Sequence, residues 1–173
     1  MADIKERMLR AAKLDVDLYE EVEADRTATG QAMWVVVLSA AAAGIGTLAH
    51  GGGLAGIVLA ALAALFGWYV WALLTYLIGT KLLPEAGTSA DLGELLRTIG
   101  FSSSPGLIRV FAIIPGLGGF LFTVVGVWML VAMVIAVRQA LDYTSTWRAV
   151  AVCLVGWVVQ GLILAAVWPG LSS

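Results

Sequence analysis

From Phe120 to Val137 the chain carries no charged side chain before it meets Arg138. As a helix rising about 1.5 Å per residue, that run reaches most of the way across a hydrocarbon core roughly 30 Å thick. It is the return arm of a helical hairpin, Leu92 to Arg138, whose other arm is interrupted. That arm starts with charge at Asp91-Leu-Gly-Glu-Leu-Leu-Arg97, breaks at Gly100-Phe-Ser-Ser-Ser-Pro-Gly106 and turns at Pro115-Gly-Leu-Gly-Gly119. Pro105 removes a backbone donor and disfavours helix at Ser104, so the arm is kinked or unwound there, with Ser102, Ser103 and Ser104 available to bond the freed carbonyls. Only 13% of the residues are charged and 61% are hydrophobic, whereas soluble domains carry about a quarter charged residues. The chain reads as an integral membrane protein.

Similar runs recur. The pattern predicts crossings over 32–49, 54–78, the broken third limb, 120–137 and 147–168, the last flanked by tryptophans as interfacial anchors. The short link His50-Gly-Gly-Gly53 makes the first two antiparallel neighbours. Gly44 and Gly46 on one, with Gly52 and Gly56 on the other, are the expected sites of close backbone approach. Thr88 or Ser89 is expected to cap the third limb, with Asp91 in its first turn.

Ahead of these runs lies a charged segment. Ile4, Met8 and Ala11 recur at helical spacing, and Asp3 with Arg7 and Glu6 with Arg10 suit i,i+4 pairing. Asp15 suits an N-cap for a second helix carrying Leu18, Tyr19 and Val22 on one side. Placing this end in the cytoplasm puts Lys5, Arg7, Arg10, Lys13, Arg26, Lys81, Arg97, Arg138 and Arg148 on the cytoplasmic side. Only Arg109 of the ten basic residues departs from the positive-inside rule. The expected architecture is therefore all-α. Residues 1–31 form short amphipathic cytoplasmic helices, and residues 32–173 form a bundle of five transmembrane helices, broken near Pro105, with the C-terminus outside.

Several function classes fall away. The basic residues of the N-terminal segment are neutralised by acids among them, so no basic face offers itself to nucleic acid. One histidine, His50, and one cysteine, Cys153, make neither a metal centre nor a disulfide framework. The segment before Ala32 is too polar for a signal peptide. Ser102 to Ser104 have no base to make a nucleophile, and no cofactor is indicated.

What remains are individual polar residues among apolar neighbours. Arg109 suits contact with an anion or lipid headgroup beside the serine break, or snorkelling to the surface near Pro115. Gln160 suits a hydrogen bond between helices, or a place on a solute pathway. Trp68, Trp71, Trp128 and Trp157 suit core packing, or the lining of a lipid groove. Asp17, Tyr19, Asp25 and Arg26 are candidates for a cytoplasmic partner surface; Asp25, Arg26 and Gln31 also suit capping of the first crossing.

A charged segment followed by five closely packed crossings, the third broken by Gly100-Phe-Ser-Ser-Ser-Pro105, resembles the Yip1 domain, whose third helix carries Gly-Tyr/Phe and then Pro a few residues on. The stretch from Leu18 to Ala32 resembles the prokaryotic branch in particular, and the likeness runs from Leu14 to Gly161. The resemblance implies a non-enzymatic scaffold in a bacterial cytoplasmic membrane, working through membrane lipids and helix contacts as a homo-oligomer or with other membrane subunits. Eukaryotic members bind small Rab-type GTPases and carry Asp-Leu-Tyr-Gly-Pro; here Asp17-Leu18-Tyr19 stands without the Gly-Pro, which leaves that partner as an analogy. A reading from another class is a small channel or transporter with its pathway at Arg109, Ser102 to Ser104 and Gln160.

Overall fold

The computed structural model describes residues 3–47 and 53–167, and within them the chain is helical throughout its regular structure. Helix α1 (Ile4–Ala12) starts at Asp3, whose side chain accepts from Lys5 N. Leu14, at φ 62°, closes it in the left-handed region, and Asp15 then caps α2 (Val16–Ala24) as expected. The two helices are not tied by pairs along their own surfaces. Arg7 crosses from α1 to Glu21 at 2.9 Å and to Asp25 at 2.8 Å, while Arg10 crosses to Asp15 at 2.7 Å and Glu21 at 2.6 Å. This corrects the i,i+4 expectation. Such surface pairs are worth only about 0.2–0.5 kcal/mol each, whereas Arg7, 4% exposed, meets several oxygens in one partly dry place.

Helix α3 (Ala28–Gly46) begins four residues before the expected crossing, because Asp25 Oδ1 accepts from both the amide and the hydroxyl of Thr27 and turns the chain there. Helix α4 (Leu54–Leu77) continues as a π-helical turn, Ile78–Leu82. Tyr143 packs on that turn, its hydroxyl 2.9 Å from Gly79 O and 2.8 Å from Leu83 O.

Helix α5 (Leu92–Phe101) opens with a capping box: Glu94 N donates to Asp91 Oδ1 at 2.9 Å and Asp91 N to Glu94 Oε2 at 2.7 Å. Asp91 is thus the cap itself, which displaces Thr88 and Ser89 from that role. The reciprocal pair satisfies two orphan donors with one turn of chain. Thr88 instead accepts from Glu85 N at 2.8 Å in the preceding loop. Beyond the break the limb does not resume as an α-helix. It runs as a 3-10 helix, Ser104–Ile113, far longer than the three or four residues usual for that form. Ser102 and Ser104 satisfy the freed carbonyls of Ile99 and Phe101, each at 2.7 Å. A 3-10 helix climbs about 2.0 Å per residue, so the limb covers more distance with the same chain.

Helix α6 (Gly118–Ala140) and helix α7 (Thr146–Val167) complete the bundle. Helices α3, α4 (from Ala55 through the π turn to Leu82) and α6 are long and apolar enough to cross a membrane, and Thr146–Leu162 of α7 is a shorter apolar helix. One apolar core joins α4, α5, α6 and α7 around Trp71, Leu95, Val137 and Leu141. A second joins Ala11, Leu18, Tyr19 and Val22 of the N-terminal helices to Ala32, Val35, Phe101 and Ala136. Those helices therefore pack against α3, α5 and α6, and Trp128 Nε1 donates to Ala12 O at 2.8 Å.

Glycines mark where backbones meet. Gly44 faces Ile57 of α4, where a Cβ would lie 3.0 Å from Ile57 Cγ1. Gly46 faces the 3-10 limb instead, against the Arg109 carbonyl. Gly56 has open space beside it, and Gly52 and His50 lie outside the described residues.

Candidate functional site

The interrupted limb turns Arg109 into the bundle. Its guanidinium lies over the Phe122 ring of α6, 5.3 Å from the centroid, and Gly126 leaves room for it, since a Cβ there would stand 3.8 Å from Nη2. Nε is buried without a hydrogen-bond partner, and among the described residues no carboxylate pairs with the side chain. Taking a charged side chain out of water among apolar neighbours is costly, and a cation–π contact returns only about 0.5–2 kcal/mol of that. Arg109 is left short of a counter-charge.

The cavity beside it is about 350 Å³. Its wall takes Ser39 and Ala43 from α3, Trp68 and Trp71 from α4, Ser103 and Arg109 from the broken limb, Met129 and Met133 from α6, and Trp157 and Gln160 from α7. Of the sequence candidates, Arg109, Ser103 and Gln160 come together here. Ser102 and Ser104 do not, because their hydroxyls are committed to carbonyls of their own limb. Two lining residues escaped the sequence analysis as polar contributors. Ser39 is 5% exposed in an apolar helix, and Trp71, 7% exposed, has an indole N–H with no acceptor. Trp68, by contrast, donates to Leu96 O at 3.0 Å.

Near the C-terminal end of α6 the candidates for a partner surface separate. Asp17 and Arg26 are exposed; Asp25 is half-buried and held by Arg7 and Thr27; Tyr19 is wholly buried, its hydroxyl donating to Ala11 O at 3.4 Å. The Thr27 hydroxyl and the Arg7 guanidinium hold the Asp25 carboxyl down at about 2. A residue missed from sequence is Glu23. It stands in a cleft with Glu20, Arg138 and Asp142, and burial together with the nearby carboxylates of Asp142, Glu94 and Glu20 pushes it up to about 7.

That shift sets a pH dependence. Folded Glu23 keeps its proton between about 4.5 and about 7, where the unfolded side chain has lost it, so stability falls as pH rises through that window. Asp25, Asp15 and Glu21 are all held low and titrate below it. The thermal midpoint of the full chain in detergent is expected to be lower at pH 8 than at pH 5.5. Glu23→Gln should flatten the profile by on the order of 3 °C relative to the parent measured at the same pH values.

A family model, the Yip1 domain, matches residues 16–167. Comparison with curated proteins and with solved structures returned no match.

Proposed function

The chain belongs to the Yip1 domain family, and from that premise we propose that it is a non-enzymatic scaffold of the membrane, acting through helix, lipid and cytoplasmic partner contacts. The family is not an enzyme family. The observation that supports a scaffold most is the distribution of surface. Large apolar side chains stand exposed along α4 (Leu59, Leu62, Phe66), α6 (Phe120, Val127) and α7 (Trp157, Val158, Leu162), offering α4, α6 and α7 to lipid and to neighbouring helices. The N-terminal helices meanwhile hold a charged face in a fixed position beside the bundle. Gly56, exposed and with nothing within 4 Å of an added Cβ among the described residues, is the small residue on which another helix can close.

In this reading the protein is an oligomer or an accessory subunit of a larger complex in a bacterial cytoplasmic membrane. Five crossings, with the N-terminus inside, accommodate α3, α4, the α5 and 3-10 limb, α6 and α7. The limb supplies ten α-helical and ten 3-10 residues, about 35 Å in all, enough for a crossing despite its break. The loop at Pro84 and the link at Thr144 also meet at one end, where Glu85 accepts from Thr144 N at 2.9 Å and pairs with Arg148 at 3.3 Å.

Two measurements test this. Gentle extraction followed by native mass spectrometry should return a defined homo-oligomer or a constant partner, and Gly56→Trp should break it; a lone monomer in every extract removes the scaffold reading. For topology, Cys153→Ala provides a cysteine-free background. In intact cells an impermeant thiol reagent should label Gly119→Cys and spare Asp17→Cys, with Asp17→Cys labelled only after the cells are opened; the reverse pattern inverts the orientation.

A further inference from the structure

Two residues that line the cavity beside Arg109 carry a buried N–H that meets no acceptor among the described residues. Among the described residues Arg109 is the single charged side chain in the cavity wall. Arg109 Nε and Trp71 Nε1 are buried with nothing to donate to among the described residues, while the indoles of Trp68 and Trp128 each find a backbone carbonyl. Buried N–H groups are ordinarily matched, so a bundle that matches two indoles and leaves the third open beside an unpaired guanidinium has a place for an acceptor. The acceptor that suits a cation plus neutral donors is an oxyanion.

The surroundings say what carries that oxyanion. Met129, Met133 and Trp157 belong both to this cavity and to a groove of about 470 Å³ between α6 and α7, which Phe122, Gly126 and Leu130 also line. The guanidinium lies over Phe122 and beside Gly126, two of the residues that line that groove. A pocket with one positive charge thus shares three wall residues with an apolar groove along α6 and α7. We propose that this is a binding site for a single-chain anionic amphiphile, its phosphate or carboxylate received by Arg109 and Trp71 in the cavity and its acyl chain lying in the α6–α7 groove. Gln160 and Ser39, on the same wall, supply further polar contacts to the head. The site rests on these contacts and not on the scaffold reading, which concerns association.

The full chain in a neutral maltoside detergent is titrated with 1-oleoyl lysophosphatidate, oleate, 1-oleoylglycerol and inorganic phosphate, and the thermal midpoint is recorded. At least one of the two anionic amphiphiles should raise the midpoint saturably, and the neutral monoglyceride and free phosphate should not. Arg109→Gln should weaken the anionic amphiphile by about tenfold or more, as expected for loss of a charge-assisted contact. Trp71→Phe, which keeps the ring in place, should weaken it severalfold and serves if the arginine variant does not fold. Equal stabilisation by 1-oleoylglycerol overturns recognition of the anion, and equal stabilisation by inorganic phosphate overturns the amphiphile. A full response in Trp71→Phe and in any folded Arg109→Gln overturns the site, as does absence of response to both anionic amphiphiles. Oligomer mass, recorded on the same samples, reports separately on the scaffold reading.

Discussion

Arg97→Ala is expected to release the N-terminal helices from the bundle and lower stability by about 3 kcal/mol. The side chain leaves α5, is 4% exposed, and donates through Nε to Val22 O at 2.9 Å and Glu23 O at 3.1 Å, with Nη2 also on Glu23 O. Those carbonyls belong to the last turn of α2, which lacks in-helix partners for them, and α2 has no basic residue of its own in that turn. Arg97 therefore caps α2 from another element and places a positive charge at the negative end of its dipole. Truncation leaves carbonyls unmet in a dry site, where hydrogen bonds to a charged donor are each worth about 1.5–3 kcal/mol. The thermal midpoint should fall by roughly 6–10 °C. Trypsin should then cut at Arg7 and Arg10, which are paired to Asp15, Glu21 and Asp25 in the intact fold. Arg97→Lys should recover little, because one ammonium does not reproduce the fork that spans both carbonyls. Unchanged protection at Arg7 in the alanine variant contradicts the clamp.

That clamp marks the limit of what periodicity conveys. The apolar faces of α1 and α2 were legible: Leu18, Tyr19 and Val22 were assigned to one side, and all three are fully buried. The Asp15 cap was legible for the same reason, being a matter of neighbours in the chain. Which carboxylate Arg7 chooses was not, since Glu21 and Asp25 reach it only once Leu14 has folded α2 back on α1. Arg97 lies 74 residues from the carbonyl of Glu23, and no local pattern relates them. Tyr19 shows the converse. Its place in a family-like Asp-Leu-Tyr run suggested a surface, and its helical phase with Leu18 and Val22 put it inside.

The polar cavity was half legible. A charge in an apolar stretch stands out, so Arg109 was found, and the serines beside Pro105 followed from the chemistry of a broken helix. Sequence does not distinguish Ser103, which lines the cavity, from Ser102 and Ser104, which bond their own carbonyls, because the three differ only in rotation about an irregular limb. Trp71 was visible only as bulk. That its N–H goes unmatched while the Trp68 N–H meets Leu96 O is settled only by the folded bundle.

Gly46→Val is expected to be among the most damaging single changes in the bundle, and Gly56→Ala nearly silent, although the two glycines look alike in sequence. At Gly46 a Cβ would collide with the carbonyl oxygen of Arg109 and stand 3.1 Å from Ala112 Cβ. The obstacle is backbone of the 3-10 limb, which has no rotamer to adopt, so α3 and the limb must part. Overpacking of this kind costs about 1–3 kcal/mol, and a β-branched residue against fixed backbone belongs at the upper end or beyond. At Gly56 nothing lies within 4 Å among the described residues, so alanine meets no obstacle. The contrast is measured as the difference in thermal midpoint between Gly46→Val and Gly56→Ala in the same detergent, expected near 10 °C at roughly 2–4 °C per kcal/mol. The carbonyl that Gly46 accommodates is Arg109's own, so separating α3 from the limb must also move the guanidinium off Phe122. A Gly46→Val protein as stable as its parent would mean that the limb yields without loss, and that α3 does not hold Arg109 in place.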